Sequence, residues 1–249
     1  MAGTLVAHGV VAGYGGRAVL DGVDLTVAPG DAIGLIGASG AGKSALLEVL
    51  AGALPVSHGS VTFEGRRVFR PARRDRKALR ARLRGVHQNG LVGLDSERTV
   101  EQLLRAALGE ARAAGRSTGR DVAGAMELVC LPSGFVHRRV GTLSGGERQR
   151  LALALALAPR PDVVLLDEPL TAVDPGMRAE LARQITAVAT AEGIGLLVAS
   201  HDLVLLDLLT RQVHVLADGR LVEHGGLRAV LADPQHQATR DLAAPGRRR

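Results

Sequence analysis

Aromatic side chains are nearly missing from this chain: of 249 residues none is Trp, one is Tyr and three are Phe. A surface that stacks nucleic-acid bases on interleaved aromatics is therefore not expected. One cysteine, Cys130, excludes an internal disulfide framework and suits a reducing compartment. Uninterrupted apolar runs of the ~18 residues that a membrane span requires are absent. The run Leu151 to Ala158 is short, lies between Arg150 and Arg160, and reads as a buried helix. No basic segment followed by an apolar stretch opens the chain, so no secretory signal is expected. Lysine is scarce too, with Lys43 and Lys77 standing against a background of arginine.

What is present is ample apolar content, 46% of residues, enough for one large domain or two small ones. The net charge is +6, and much of the excess lies in Arg66 to Arg84 and in the terminal Arg247-Arg248-Arg249. With only Phe69 inside it, the first run reads as a solvated face, contact with anionic lipid headgroups being the second reading. No nucleic-acid partner is expected.

Gly37 to Ser44 reads Gly-x-x-x-x-Gly-Lys-Ser. Such a loop cradles phosphates because its glycines let successive backbone N–H groups turn inward while the next helix offers its positive end. Gly37, Ser39, Gly40 and Gly42 would line the anion, Lys43 would reach the outer phosphates, and Ser44 would offer its hydroxyl to magnesium. The context fits, since the apolar run Asp31 to Ile36 precedes the loop and Ala45 to Leu50 follows it, giving strand, loop, helix. A compact ammonium is what the loop needs, and guanidinium is no equivalent.

Thr4 to Val11 and Val19 to Val27 alternate as paired strands, and Ser60 to Phe63 reads as a strand entering a turn at Glu64-Gly65. Arg98 to Ala114 and Asp121 to Leu131 carry helical periodicity, joined at Arg116 to Gly119. Another helix is expected over Gly146 to Ala158. From Asp162 onward strands and helices alternate: Val163 to Leu166, Met177 to Ala191, Gly195 to Ala199, Leu203 to Leu209, Val213 to Leu216. That order predicts an α/β fold with a mostly parallel core sheet. The stretch from about residue 86 to 140 is expected to be a helical insertion without strands.

Val163 to Leu166 ends in Asp167-Glu168, and two acids at the carboxyl end of a buried strand lie where open α/β sheets bind ligands. Asp167 would hold magnesium and Glu168 would polarise the attacking water. The stretch Leu143-Ser144-Gly145-Gly146-Glu147 resembles the signature of ATP-binding cassette (ABC) proteins, a resemblance that covers nearly the whole chain. It implies one ABC domain over residues 1–249, with a P-loop NTPase core, an antiparallel β subdomain, the helical insertion, and a short tail over residues 233–249. It implies ATP and Mg2+ as ligands. It also implies that Ser144, Gly145 and Gly146 contact ATP held by a second cassette, a like or unlike copy. By the same resemblance Gln88 is the loop glutamine that senses magnesium and water. Asp174 links the two sites, His201 is the switch histidine, and Tyr14 carries the adenine. Leu170, Leu155 and His87 depart from the family's usual Thr, Arg and aromatic residue.

Two segments are similar to the peptide and nickel uptake branch. One is Leu79 to Gln88 with Leu94 to Val100, and the other is the tail Asp233 to Leu242. That branch implies transmembrane permeases, an extracytoplasmic solute-binding protein reached through them, and a place on the cytoplasmic face of the membrane. An exporter cassette or a non-transport cassette would share the ATP chemistry and stays open as an alternative.

Overall fold

The architecture follows from where aliphatic residues recur. Strands β1 (Leu5–Tyr14) and β2 (Arg17–Val27) bury Leu5, Ala7, Val10 and Ala12 on one and Leu20, Val23, Leu25 and Val27 on the other. They pair antiparallel, as their alternation predicts. A five-residue strand β3 (Ala32–Ile36) runs into helix α1 (Lys43–Leu50). Strand β4 (Val56–Phe63) then returns beside β1, and β5 (Arg66–Arg67) closes a four-stranded antiparallel sheet of order β2-β1-β4-β5. The computed structural model describes residues 3–88 and 95–244.

Helix α2 (Arg76–Arg82) feeds strand β6 (Leu83–Val86). Next come helices α3 (Val100–Ala113), α4 (Val122–Glu127) and α5 (Gly145–Leu157), then strand β7 (Val163–Asp167). Helix α6 (Pro175–Glu192), strand β8 (Gly195–Ala199), helix α7 (Leu203–Leu209) and strands β9 (Gln212–Ala217) and β10 (Arg220–Gly225) follow. Helices α8 (Leu227–Ala232) and α9 (Gln237–Ala243) end the described chain.

The second sheet has the order β10-β9-β3-β8-β7-β6, parallel throughout except for β10. β7 and β8 are buried at every position, the pattern of strands covered on both faces. Val163 and Leu165 of β7 face the layer shared with α1 and the antiparallel sheet, while Val164 and Leu166 face the layer shared with α3, α5 and α6. Two cores thus flank one sheet, whose carboxyl edge carries the polar residues described next. This is the expected α/β fold with a mostly parallel core sheet, joined to a separate antiparallel sheet.

Three expectations need correction. The basic run is solvated at Arg66, Arg67, Arg70, Arg73, Arg74, Arg76, Lys77 and Arg80, as expected, but it folds into β5, α2 and the start of β6, and its last arginines turn inward to Asp162 and Glu64 (Arg82) and to Glu110 (Arg84). The segment from about residue 86 does not lack strands at its start, because Val86 ends β6 and is paired with Leu166 of β7. The helix expected over Asp121 to Leu131 stops at Glu127, and Cys130 adopts a left-handed φ of 52° that no helix continues. Leu94 and Arg247-Arg248-Arg249 lie outside the described residues.

Candidate active site

β3 delivers the chain into the Gly37–Gly42 turn at the carboxyl edge of the parallel sheet. A Cβ on Gly37 would stand 2.3 Å from the Leu216 carbonyl oxygen, so no side chain fits there. Gly42 is the N-cap of α1 at φ 103°, with no side chain capping the helix, and the first-turn N–H groups are left for an anion. Ser39 and Gly40 are exposed at the tip of the turn. The Lys43 ammonium donates to the Gly37 carbonyl at 2.7 Å and to the Ala38 carbonyl at 3.0 Å. Burial holds its pKa below the ordinary lysine value, against the opposing pull of Glu168 and Asp167.

Asp167 ends β7 and Glu168 follows it, each with 8% of its surface exposed. Burial raises the Asp167 pKa and the neighbouring Glu168 charge adds to this, while a hydrogen bond from the Ser44 hydroxyl and the charges of His87 and Lys43 oppose it. The strand-end carboxylate of Asp167 therefore feels both Ser44 and Lys43 of the phosphate loop.

Glu168 has a φ of 47°, a left-handed backbone rare for a residue with a side chain. Its N–H donates to the Ala199 carbonyl at 2.9 Å. One carboxylate oxygen accepts from the Ser200 hydroxyl at 2.8 Å. The other accepts from the His201 N–H at 2.9 Å and lies 2.8 Å from His201 Nδ1. The pairing of β7 with β8 makes this possible, since Asp167 is in register with Ala199 and the two chains leave the sheet side by side.

Gln88 stands two residues beyond Val86, whose partner is Leu166, so it lies at the same sheet edge as Asp167. Tyr14 ends β1, half exposed, and its hydroxyl donates to Glu48 of α1 at 2.7 Å. Burial, then the Glu48 carboxylate, push the phenol up to about 12. The ring is thereby tied to the helix that begins at the phosphate loop.

The remaining predicted residues gather elsewhere. Ser144 caps α5 in a reciprocal box with Glu147, accepting from its N–H at 3.3 Å while the Glu147 carboxylate accepts from the Ser144 N–H at 2.7 Å. Gly145 and Gly146 open α5 next to Ala172, and Asp174 precedes Pro175 at the start of α6. Among the described residues no hydrogen bond or ion pair joins Ser144, Gly145, Gly146 or Asp174 to Gly37–Ser44.

Four residues at the site carry no role in the sequence reading: Ser200, His87, Glu48 and Gln149. Gln149 is the one with a visible sequence signal, a lone amide in a helix that otherwise turns Leu and Ala inward. It is 2% exposed and bonds to the loop that follows Glu168.

A family model described as "ABC transporter" matches residues 20–171, from β2 through the phosphate loop and signature to Thr171. The chain belongs to the ABC transporter family. A model of the AAA domain also matches residues 137–207. The phosphate import ATP-binding protein PstB 2 of Natronomonas pharaonis is 35% identical over 95% of this chain and 84% of its own length. The oligopeptide transport ATP-binding protein OppD of Mycobacterium bovis is 35% identical over 91% of this chain, which spans only 37% of that relative. A dimeric ATP-binding cassette in a post-hydrolysis state with ADP and Pi superposes with a TM-score of 0.77 at 22% identity, over 90% of this chain and 99% of that one, a likeness of fold. The chain is thus an ATPase of the ABC type. Among its described residues no helix is long and apolar enough to cross a membrane.

Proposed function

We propose that this ABC cassette hydrolyses ATP with Glu168 as the base and works as one half of a cassette pair that drives an importer. The observation that carries the reading is the fixing of the Glu168 carboxylate by Ser200 and His201, next to Asp167 at the carboxyl end of β7. A carboxylate so held can orient a water and accept its proton.

Gly37, Ser39, Gly40, Gly42 and Lys43 are assigned to the phosphates of ATP, and Tyr14 to the adenine. The oxygen donors Ser44, Asp167 and Gln88 suit a hard divalent cation, and they are assigned to magnesium. Magnesium, when bound, supplies charge neutralisation on the phosphates. His201 directs Nδ1 at Glu168, and its other ring nitrogen is assigned to the outermost phosphate. Ser144, Gly145, Gly146 and Asp174, grouped away from this chain's phosphate loop, are assigned to the nucleotide of the second cassette.

The cargo reading is peptides, nickel or a related metal chelate. It is supported by the Leu79 to Gln88 approach, by the Asp233 to Leu242 tail, and by the likeness to the oligopeptide relative. It places the protein on the cytoplasmic face of the membrane with two permeases, which receive cargo from an extracytoplasmic solute-binding protein.

Glu168→Gln is expected to lower kcat by about 10²–10⁴-fold while ATP still binds, measured with purified protein. Lys43→Ala is expected to weaken ATP binding itself. Ordinary turnover by Glu168→Gln would remove the assignment of the base. Recovery of permeases with tagged Glu168→Gln from solubilised membranes in ATP supports the transport reading, and recovery of soluble partners alone defeats it.

A further inference from the structure

We propose that Gln149 is a positioning residue for hydrolysis, tying the signature helix to the Glu168 peptide so that the seating of one sets the aim of the other. This rests on the role given to Glu168 above.

Gln149 lies on α5, five residues beyond Ser144, with its amide buried. The side-chain N–H₂ donates to the Glu168 carbonyl at 2.8 Å and to the Thr171 hydroxyl at 3.3 Å. The side-chain oxygen accepts from the Ala172 N–H at 2.9 Å. The two partners fix the amide's orientation, since a carbonyl needs a donor and an N–H needs an acceptor. A second tie lies one turn earlier, where a Cβ on Gly146 would stand 2.6 Å from the Ala172 carbonyl oxygen. The start of α5 and residues 168–172 are therefore docked as one piece.

The consequence falls on Glu168. A left-handed residue with a side chain persists only where its surroundings over-determine it. Here the N–H is held by Ala199 and the carbonyl by Gln149, with Thr171 also donating to that carbonyl at 3.3 Å. If the peptide turns, the carboxylate leaves Ser200 and His201. A shift of α5, the helix assigned to the partner's nucleotide, is passed through Gln149 to the base of this chain's own site.

The test uses Gln149→Met, which keeps the volume and removes all three bonds, and Gln149→Glu, which keeps the acceptor but donates only when protonated. Gln149→Met is expected to lower kcat at least tenfold, with the Kd for a fluorescent ATP analogue within threefold of wild type. Burial raises the pKa of the introduced acid. Gln149→Glu is therefore expected to be weak at pH 8 and to recover several-fold relative to wild type by pH 6, a profile that volume filling alone would not produce. If Gln149→Met does not fold, this profile alone decides. Wild-type kcat in Gln149→Met, or a flat ratio for Gln149→Glu, overturns the proposal. Glu168→Gln in the same assay separates the two failures. If it turns over normally the base assignment falls, whereas an inactive Glu168→Gln beside unaffected Gln149 variants removes this inference alone.

Discussion

Asp167 works against the fold that presents it. Its carboxyl is buried and its pKa lies above the ordinary 3.8, with desolvation the largest cause. A group raised in this way gives its full contribution to stability below the unfolded value and loses it as pH rises through the folded value. Where Asp167 is ionised it is therefore a cost to the fold. Asp167→Asn retains an acceptor for Ser44 and removes the charge. It is expected to raise the Tm of nucleotide-free protein at pH 7, by about 2–4 °C for each kcal/mol relieved. The gap should close as pH falls toward 4, and magnesium-dependent nucleotide binding should be lost. Differential scanning fluorimetry across pH checks this; an unchanged or lower Tm at pH 7 would mean that Ser44 and Lys43 outweigh burial. The acids themselves were legible as a charged stop to an apolar run. Ser200 was not, because its hydrogen bond to Glu168 exists only through the pairing of β7 with β8, 32 residues apart in sequence.

Elements were legible where burial dictates composition. β8 and α7 have the bounds that the apolar runs suggest, and α6 ends at Gly193, whose φ of 64° suits a left-handed C-cap. β10 and α2 were not legible, since β10 buries no residue fully and α2 only Ala81, and partners rather than periodicity specify them. The tail gained meaning only in the fold. The Glu223 carboxylate on β10 accepts from the Thr239 hydroxyl at 2.6 Å and from the Gln235 and His236 N–H groups at 3.1 Å each, and Thr239 is fully buried. The Thr239 hydrogen bond, then the two backbone donors, hold the Glu223 pKa below its ordinary 4.5. A lowered acid stabilises above the unfolded value and loses that effect as pH falls through the folded one. The tail should therefore loosen in acid, below about pH 4.5, and Glu223→Ala should loosen it at pH 7. Hydrogen exchange over residues 233–244 reads both; protection that survives in Glu223→Ala would place the anchor elsewhere.

At the scale of the molecule, the helical stretch and the sheet share one aliphatic core. Leu103, Leu104 and Leu108 of α3 and Met126 of α4 belong to the same buried cluster as Val164, Leu166 and Val198. The join is reinforced by charge. Arg116, between α3 and α4, meets Asp162 at 3.0 Å, and Arg120 pairs with Glu192, which Arg160 also reaches at 3.3 Å. Asp162 binds Arg82 at 2.6 Å and the Gly3 N–H at 3.0 Å as well, so this carboxylate gathers Gly3, the end of α2 and the helical connector. A sequence reading takes residues 116–119 for a plain connector, because nothing local marks these arginines as different from the others. Paired carboxylates that keep other partners lose only part of their compensation when one arginine goes. The double variant Arg116→Met, Arg120→Met is expected to lower the unfolding free energy in urea by about 2–4 kcal/mol. Since the shared core should make the wild type unfold in one transition, the variant should instead release α3 and α4 first, with their amides exchanging ahead of those in β7 and β8. Uniform exchange across both regions in the variant would show that aliphatic packing alone binds the helices to the sheet.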